Sequence, residues 1–415
     1  MLELISIVVL ILVFAAATVL PINMGVLALT AALLLGLASG LTGEEIVGAF
    51  PSDILILIVG ITLLFGIAHV NGTMDLFIQA SLRLVGERRW AVPWLIFVVA
   101  GILMSFGFVL AVSVIAPAAM SMARRFQISP LLMAMMLSHG ALAASLSPVT
   151  VYANFTREIA GGADIAVGSV QLFAAGLVLN LLFALVLYAV LGRGLRQPIP
   201  EEAATDGDLS ILTGERLRLT WIRAATLAGI VALVVGAFLE INVGATALLV
   251  ATVLLLLAPR AHTAAHDEIG WGVVLLVGGM LTLMAVLTAN GTIQAVADAA
   301  AALGSPLLAA LMILFVVGIL SAFGSSIGTV GVALPLAFPL VADGGVAGAG
   351  LVVSIAVISL IVDVSPFSTN GAVVLSQAKV PDRQVFQRRM LAYTGLVTVV
   401  APVLAWLAIV IPPSL

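Results

Sequence analysis

The chain predicts an all-α polytopic membrane protein built as two inverted repeats, each of five transmembrane helices plus one re-entrant hairpin. Three observations predict it. The 415 residues are 63% hydrophobic and 9% charged, with a mean hydropathy of +1.29, and apolar runs of spanning length recur throughout. Short strings return in order at an offset of 218 to 219 residues. The basic residues gather on one face only when each half contains a hairpin that turns back.

The recurrence covers the whole chain. Leu20-Pro21-Ile22-Asn23-Met24-Gly25 returns as Leu239-Glu240-Ile241-Asn242-Val243-Gly244, and Asn71-Gly72-Thr73 returns as Asn290-Gly291-Thr292. Gly60 aligns with Gly279, and Pro117 and Pro148 align with Pro335 and Pro366. Five matches in order mark a duplication, where any one alone is weak.

Each element follows from the apolar runs and their interruptions. The first repeat, 1–192, holds helices near 4–20, 24–40 and 52–70, then an interfacial segment at 72–88. A hairpin at 91–126 turns at Ser105-Phe106-Gly107, a helix at 130–157 breaks at Pro148, and a closing helix occupies 165–192. Residues 193–221, with Pro198, Pro200 and mixed charges, form a linker. The second repeat, 222–415, has helices near 222–239, 243–258 and 271–289, a hairpin at 306–342, a broken helix at 347–378 and a last helix at 391–412. Met1-Leu2-Glu3 lacks the basic start of a signal peptide, so the first apolar run reads as a span.

Charge decides between a hairpin and two full spans. With hairpins, 15 of the 16 Lys and Arg residues share one face, and only Arg157 lies opposite. The positive-inside rule makes that face cytoplasmic and puts both termini outside, in an integral plasma (inner) membrane protein. With full spans the basic residues divide between both faces.

Soluble enzyme classes find no support. There is no cysteine and only four histidines, and no HExxH, GxSxG, Walker or dinucleotide fingerprint. No catalytic residue is assigned, and nothing points to a nucleic-acid partner; the expected surroundings are the lipid bilayer. A membrane-embedded hydrolase and a passive channel remain as remote readings.

Chemistry collects at the interruptions. Ser147-Pro148-Val149-Thr150 and Ser365-Pro366-Phe367-Ser368-Thr369 break apolar helices at matching places, and a proline there frees a carbonyl that the bilayer core cannot solvate. Paired breaks of this kind line transport sites near the membrane midplane. Helices that restart after a break aim N–H groups at an anion, and freed carbonyls and hydroxyls suit Na⁺. The plainer reading of an isolated Ser or Gly is close helix packing. Thr150, Asn154, Ser368, Thr369 and Asn370 are the expected polar lining. Asp363, in an apolar segment, is a candidate ion or proton ligand with Ser145 as its counterpart. Its plainer role is capping. His139 reads more readily as a hydrogen-bonded core histidine than as a proton carrier, and Arg157 as an interfacial residue beside Glu158.

Three helices, an interfacial helix, a re-entrant hairpin, a broken helix and a closing helix, duplicated, resemble the divalent anion–sodium symporters and their wider ion-transporter superfamily. Within it the first half is similar to dicarboxylate carriers of malonate type, through Thr18-Val19-Leu20-Pro21-Ile22-Asn23-Met24-Gly25, Val70-Asn71-Gly72-Thr73 and Ile128-Ser129-Pro130-Leu131-Leu132-Met133. The resemblance spans the chain in architecture and about residues 1–155 in local sequence. It implies a homodimer, a scaffold made of helices 1–3 of each half, and a transport domain of hairpins and broken helices that moves as an elevator. It further implies secondary active transport of a small organic anion, a dicarboxylate, coupled to Na⁺. A Na⁺/H⁺ antiporter or oxyanion permease of the same superfamily is the alternative. The Ser-Asn-Thr of the symporters' hairpin tips is missing here; Gly107-Phe108-Val109 and Ser325-Ser326-Ile327 stand at the equivalent places, counted back from Pro117 and Pro335. Gly107, Phe108, Ser325 and Ser326 therefore join the expected substrate contacts. Ser105, Ser147, Gly324, Ser365 and Asp363 are the Na⁺ candidates.

Overall fold

A chain in hydrocarbon must satisfy its backbone internally, so apolar runs become helices. In this computed structural model every element among the described residues is helical. Those residues are 2–20, 22–82, 88–195, 218–239, 241–301, 305–342, 345–378, 380 and 382–414. Part of the expected interfacial segment, most of the linker, and the basic residues Arg83, Arg196, Arg216 and Lys379 lie outside them.

The first series comprises α1 (Leu2–Val19), α2 (Met24–Ala38), α3 (Gly43–Gly48), α4 (Ser52–Val70), α5 (Thr73–Leu82), α6 (Val92–Ser105), α7 (Ala111–Arg125), α8 (Pro130–Ala144), α9 (Val151–Gly161) and α10 (Ser169–Leu191). The second comprises α11 (Trp221–Phe238), α12 (Val243–Leu257), α13 (Trp271–Ala289), α14 (Thr292–Ala301), α15 (Pro306–Phe323), α16 (Ser326–Ala342), α17 (Gly348–Ile361), α18 (Thr369–Gln377) and α19 (Arg383–Ala405). A π turn and a last helical turn carry α19 on to Ser414. Two elements differ from the sequence reading. α3 is a short helix closed by a capping box, in which the amide and hydroxyl of Thr42 both bond the Glu45 carboxylate and hold it below the usual carboxylate range. α19 starts eight residues earlier than expected because Asp382 caps it, accepting from the Val385 amide at 2.9 Å; its polar first turns carry no hydropathy signal.

Helices from the two series exchange partners. α2 packs on α13 and α12 on α4, with glycines where the backbones cross. A β-carbon on Gly25 would run into the Leu275 carbonyl, and one on Gly279 into the Gly25 carbonyl. At the other crossing, a β-carbon on Gly60 would lie 2.5 Å from the Gly244 carbonyl. The 219-residue offset carries Gly25 onto Gly244 and Gly60 onto Gly279, so the two crossings stand at matching sequence positions. The Asn-Gly-Thr turns behave alike. The Oδ1 of Asn71 accepts from the amide and hydroxyl of Thr73, and that of Asn290 does the same for Thr292. Gly72 and Gly291 take positive φ, at 74° and 80°, a conformation that favours glycine. Asn71 Nδ2 then reaches Thr226 on α11 at 2.8 Å, while Asn290 Nδ2 reaches Ser6 on α1 at 2.9 Å.

The interrupted elements form the rest of the core. α6 and α7 make one hairpin, α15 and α16 the other, and each packs against the first part of its own broken helix, α8 or α17. The second parts cross over: α9 packs on α16, and α18 on α7. His139 on α8 is fully buried, with Nδ1 2.8 Å from Asn180 Oδ1 on α10 and Nε2 2.6 Å from the Tyr393 hydroxyl on α19. It is a satisfied core histidine that ties three helices together.

Candidate substrate site between the hairpin tips

The two turns that interrupt the hairpins come to one cavity of about 850 Å³. On one side it is bounded by Gly107 to Leu110 of the first tip, by Gly324 and Ser325 of the second, and by Phe367 to Thr369 of the second break. Asn23, Thr62 and Phe65 bound it on the other, and the segment from Asp267 to Val273 forms its rim. The size falls within the range of small-molecule sites, roughly 300–1,000 Å³.

The tips differ because their residues do. In the first, Gly107 turns the chain with φ at 97°, and the Phe108 ring is buried beside Phe65 and His69, with centroids 6.4 and 6.0 Å away. In the second, α16 begins at Ser326, and the Ser325 hydroxyl accepts from the Gly328 amide at 3.4 Å. The first-turn N–H groups of such a helix have no intrahelical partner.

The breaks differ too. In the first, Thr150 caps α9, accepting from the Ala153 amide at 3.3 Å and donating to the Ser145 and Ser147 carbonyls. Ser147 donates to the Ser105 carbonyl at 2.6 Å, tying the break to the hairpin tip. In the second, the Asp363 carboxylate, buried with 2% exposure, accepts from the Asn370 amide at 3.3 Å and its side-chain amide at 2.8 Å. The N-terminus of α18 is thus occupied from within the chain. No cation pairs with Asp363 among the described residues.

Residues 1–145 match the family model described as Dicarboxylate carrier protein MatC N-terminus. That family match covers about the first third of the chain, where the sequence resemblance also lies. No curated protein matches. Among solved structures, the Alcanivorax borkumensis YdaH transporter, described as having an unusual topology, is 15% identical, with 87% of this chain and 86% of that chain covered at a TM-score of 0.61. At that identity the likeness is one of fold alone.

Of the residues expected to contact substrate, Gly107, Phe108, Ser325, Ser368 and Thr369 line the cavity. Thr150 and Asn154 are not part of the lining; the Asn154 side chain donates to the Pro148 and Thr150 carbonyls. Ser326 receives a hydrogen bond from Ser321, and Asn370 holds Asp363. Of the Na⁺ candidates only Gly324 lines the cavity. Ser105, Ser147 and Ser365 have their hydroxyls in local bonds. Sequence reasoning passed over Asn23, Thr62, Tyr152, Asp267, Glu268 and Trp271, all of which line the cavity. Asn23 alone carried a usable signal, because it stands in a repeated string. Arg157 and Glu158 are both exposed and away from the lining.

Proposed function

We propose that this chain is a secondary active transporter of a small organic carboxylate, working by alternating access and coupled to a cation, with Na⁺ the first candidate. One observation carries the reading: both hairpin tips and the second break meet at a single cavity against helices of a separate packing group. The dicarboxylate carrier match to the first 145 residues supports the substrate class, and discontinuous helices around one cavity are the common form of a carrier site. α1, α2, α4 and α11 to α13 serve as scaffold. The hairpins and broken helices move against it as an elevator in a homodimer.

The exchange of crossings between Gly25–Gly279 and Gly60–Gly244 supports two repeats of inverted orientation. On the charge-derived topology the rim at Asp267 lies on the cytoplasmic side, so the cavity belongs to an inward-open state. Asp363 favours a second reading, cation antiport, since a buried carboxylate is a natural exchange ligand.

The test is uptake into proteoliposomes. Ser325→Ala and Thr369→Ala should each lower saturable uptake of a labelled carboxylate by at least about ten-fold while dimer yield is unchanged. Wild-type uptake by both removes the site from this cavity. Uptake indifferent to Na⁺ and pH gradients removes symport with either ion. Asp363→Asn separates the two readings: an antiporter loses all exchange, a symporter keeps part of its uptake.

A further inference from the structure

We infer that the transported anion is amphipathic, with one carboxylate and an apolar or aromatic body, rather than a short dicarboxylate. The inference rests on the transport reading of the cavity and narrows its substrate class.

Of the two tips and breaks, only the second pair puts hydroxyls on the lining; Asn23, Thr62, Tyr152 and Trp271 add polar groups from other helices. Ser325, Ser368 and Thr369 belong to the second tip and break and all three line it, with the Ser368 hydroxyl donating to the Ser365 carbonyl at 2.7 Å. The first tip presents only Gly107, Phe108, Val109 and Leu110. A dicarboxylate needs donors at both ends, because an ionised group moved against an apolar wall loses its hydration without replacement. Here the second tip and break offer hydroxyls to one end, and the first tip offers only apolar side chains to the other. The offset pairs the tips as counterparts, yet their side chains make a polar and an apolar member.

Aromatic rings enlarge the apolar part. Phe323 and Phe367 stack with centroids 5.8 Å apart, and both line the cavity while half exposed. Their counterparts in the first half are Ser105 and Val149, so the pair belongs to the second repeat alone. Tyr152 and Trp271 also reach the lining. A ring or alkyl chain laid against such a wall leaves water, which is where the binding free energy of an apolar body comes from.

Charge points the same way. None of the described lining residues is Lys, Arg or His, and its two charged members are the carboxylates Asp267 and Glu268 at the rim. Glu268 has His69 Nδ1 at 3.3 Å, while Asp267 has no such partner among the described residues; a dianion passing it meets twice the like charge that a monoanion meets.

The experiment is a thermal-shift and intrinsic-fluorescence titration of the purified full-length protein with phenylacetate, hexanoate, malonate and succinate, each with and without Na⁺. Phenylacetate and hexanoate should bind at least about ten-fold more tightly than malonate or succinate, and the Phe323→Ser, Phe367→Ser double variant should close most of that gap. Malonate or succinate binding as tightly as phenylacetate overturns the inference and leaves carboxylate transport standing. So does a gap unchanged in the double variant. If that variant does not fold, the ranking of the four ligands on the wild-type protein still decides. No binding by any of the four, from a monodisperse protein, sinks the transport reading itself.

Discussion

The two helix breaks stand at matching sequence positions and hold themselves together by different means. At the first, Ser145 and Thr150 close the gap with neutral hydroxyl and carbonyl groups. At the second, Asp363 stands at the Ser145 position and clasps Asn370 with a buried carboxylate. The two halves agree on where the chain breaks, because helix packing fixes that. Packing leaves open what fills the break, which is where function could diverge. The tips repeat the lesson, with Phe108 opposite Ser326 in the alignment of the halves.

The strongest way to sharpen this contrast is to remove the group unique to each break. Asp363→Ala leaves two buried donors of Asn370 without a partner, at about 1–3 kcal/mol for each. The thermal midpoint of the purified protein should fall by many degrees. Ser145→Ala removes one helix back-bond, to the Ala141 carbonyl, and should cost under about 1 kcal/mol. Equal losses would mean that the carboxylate adds nothing a hydroxyl does not.

Where the halves remain alike, their variants should behave alike. Gly25→Ala and Gly60→Ala each push a methyl group into the facing backbone, and overpacking of this kind costs about 1–3 kcal/mol. Both should lower the thermal midpoint, Gly25→Ala the more because its neighbour is closer. A silent Gly60→Ala would break the equivalence of the two crossings.

The contrast was partly legible in the sequence, and the reason differs by level. Spans and their interruptions are local in hydropathy, so Ser105-Phe106-Gly107 coincides with the end of α6 and Pro148 with the gap between α8 and α9. The 218–219 offset marked Gly25, Gly60 and their copies before any contact between them was known. Side-chain direction was not legible. Thr150 and its counterpart Ser368 both turn back on the chain, donating to the Ser147 and Ser365 carbonyls, yet only Ser368 lines the cavity. Tyr152 and Thr62 reach the lining only because distant helices bring them there. Polar helical turns such as the start of α19 escape a reading based on apolar runs.

Thr150 gives a smaller effect of opposite character to Thr369. Losing a helix cap costs about 1 kcal/mol, so Thr150→Val should lower the thermal midpoint by a few degrees. Thr369→Ala should weaken substrate binding at nearly unchanged stability. A Thr150 variant with altered affinity and unaltered stability would return that hydroxyl to the cavity.

The smallest difference is one of pH, at the two Asn-Gly-Thr turns. Asn290 is held by the Ser6 hydroxyl and nothing titratable. Asn71 also faces His262, whose Nδ1 lies 3.1 Å from the Leu254 carbonyl and whose Nε2 lies 3.4 Å from Asn71 Nδ2. With Nδ1 protonated and donating to that carbonyl, Nε2 must be the bare acceptor, so the ring is held neutral. Burial pushes the His262 pKa down, and the bond to Leu254 opposes the shift in part. The folded value lies below the unfolded one, near about 6.5, so the unfolded chain takes up this proton first as pH falls. The contribution of His262 is therefore complete above about pH 6.5 and is lost progressively below it. Between pH 7.5 and 5.5 the thermal midpoint of the wild type should fall further than that of His262→Gln, with the two variants' other groups titrating in common. Parallel falls would mean that folding leaves the His262 pKa where it is in the unfolded chain.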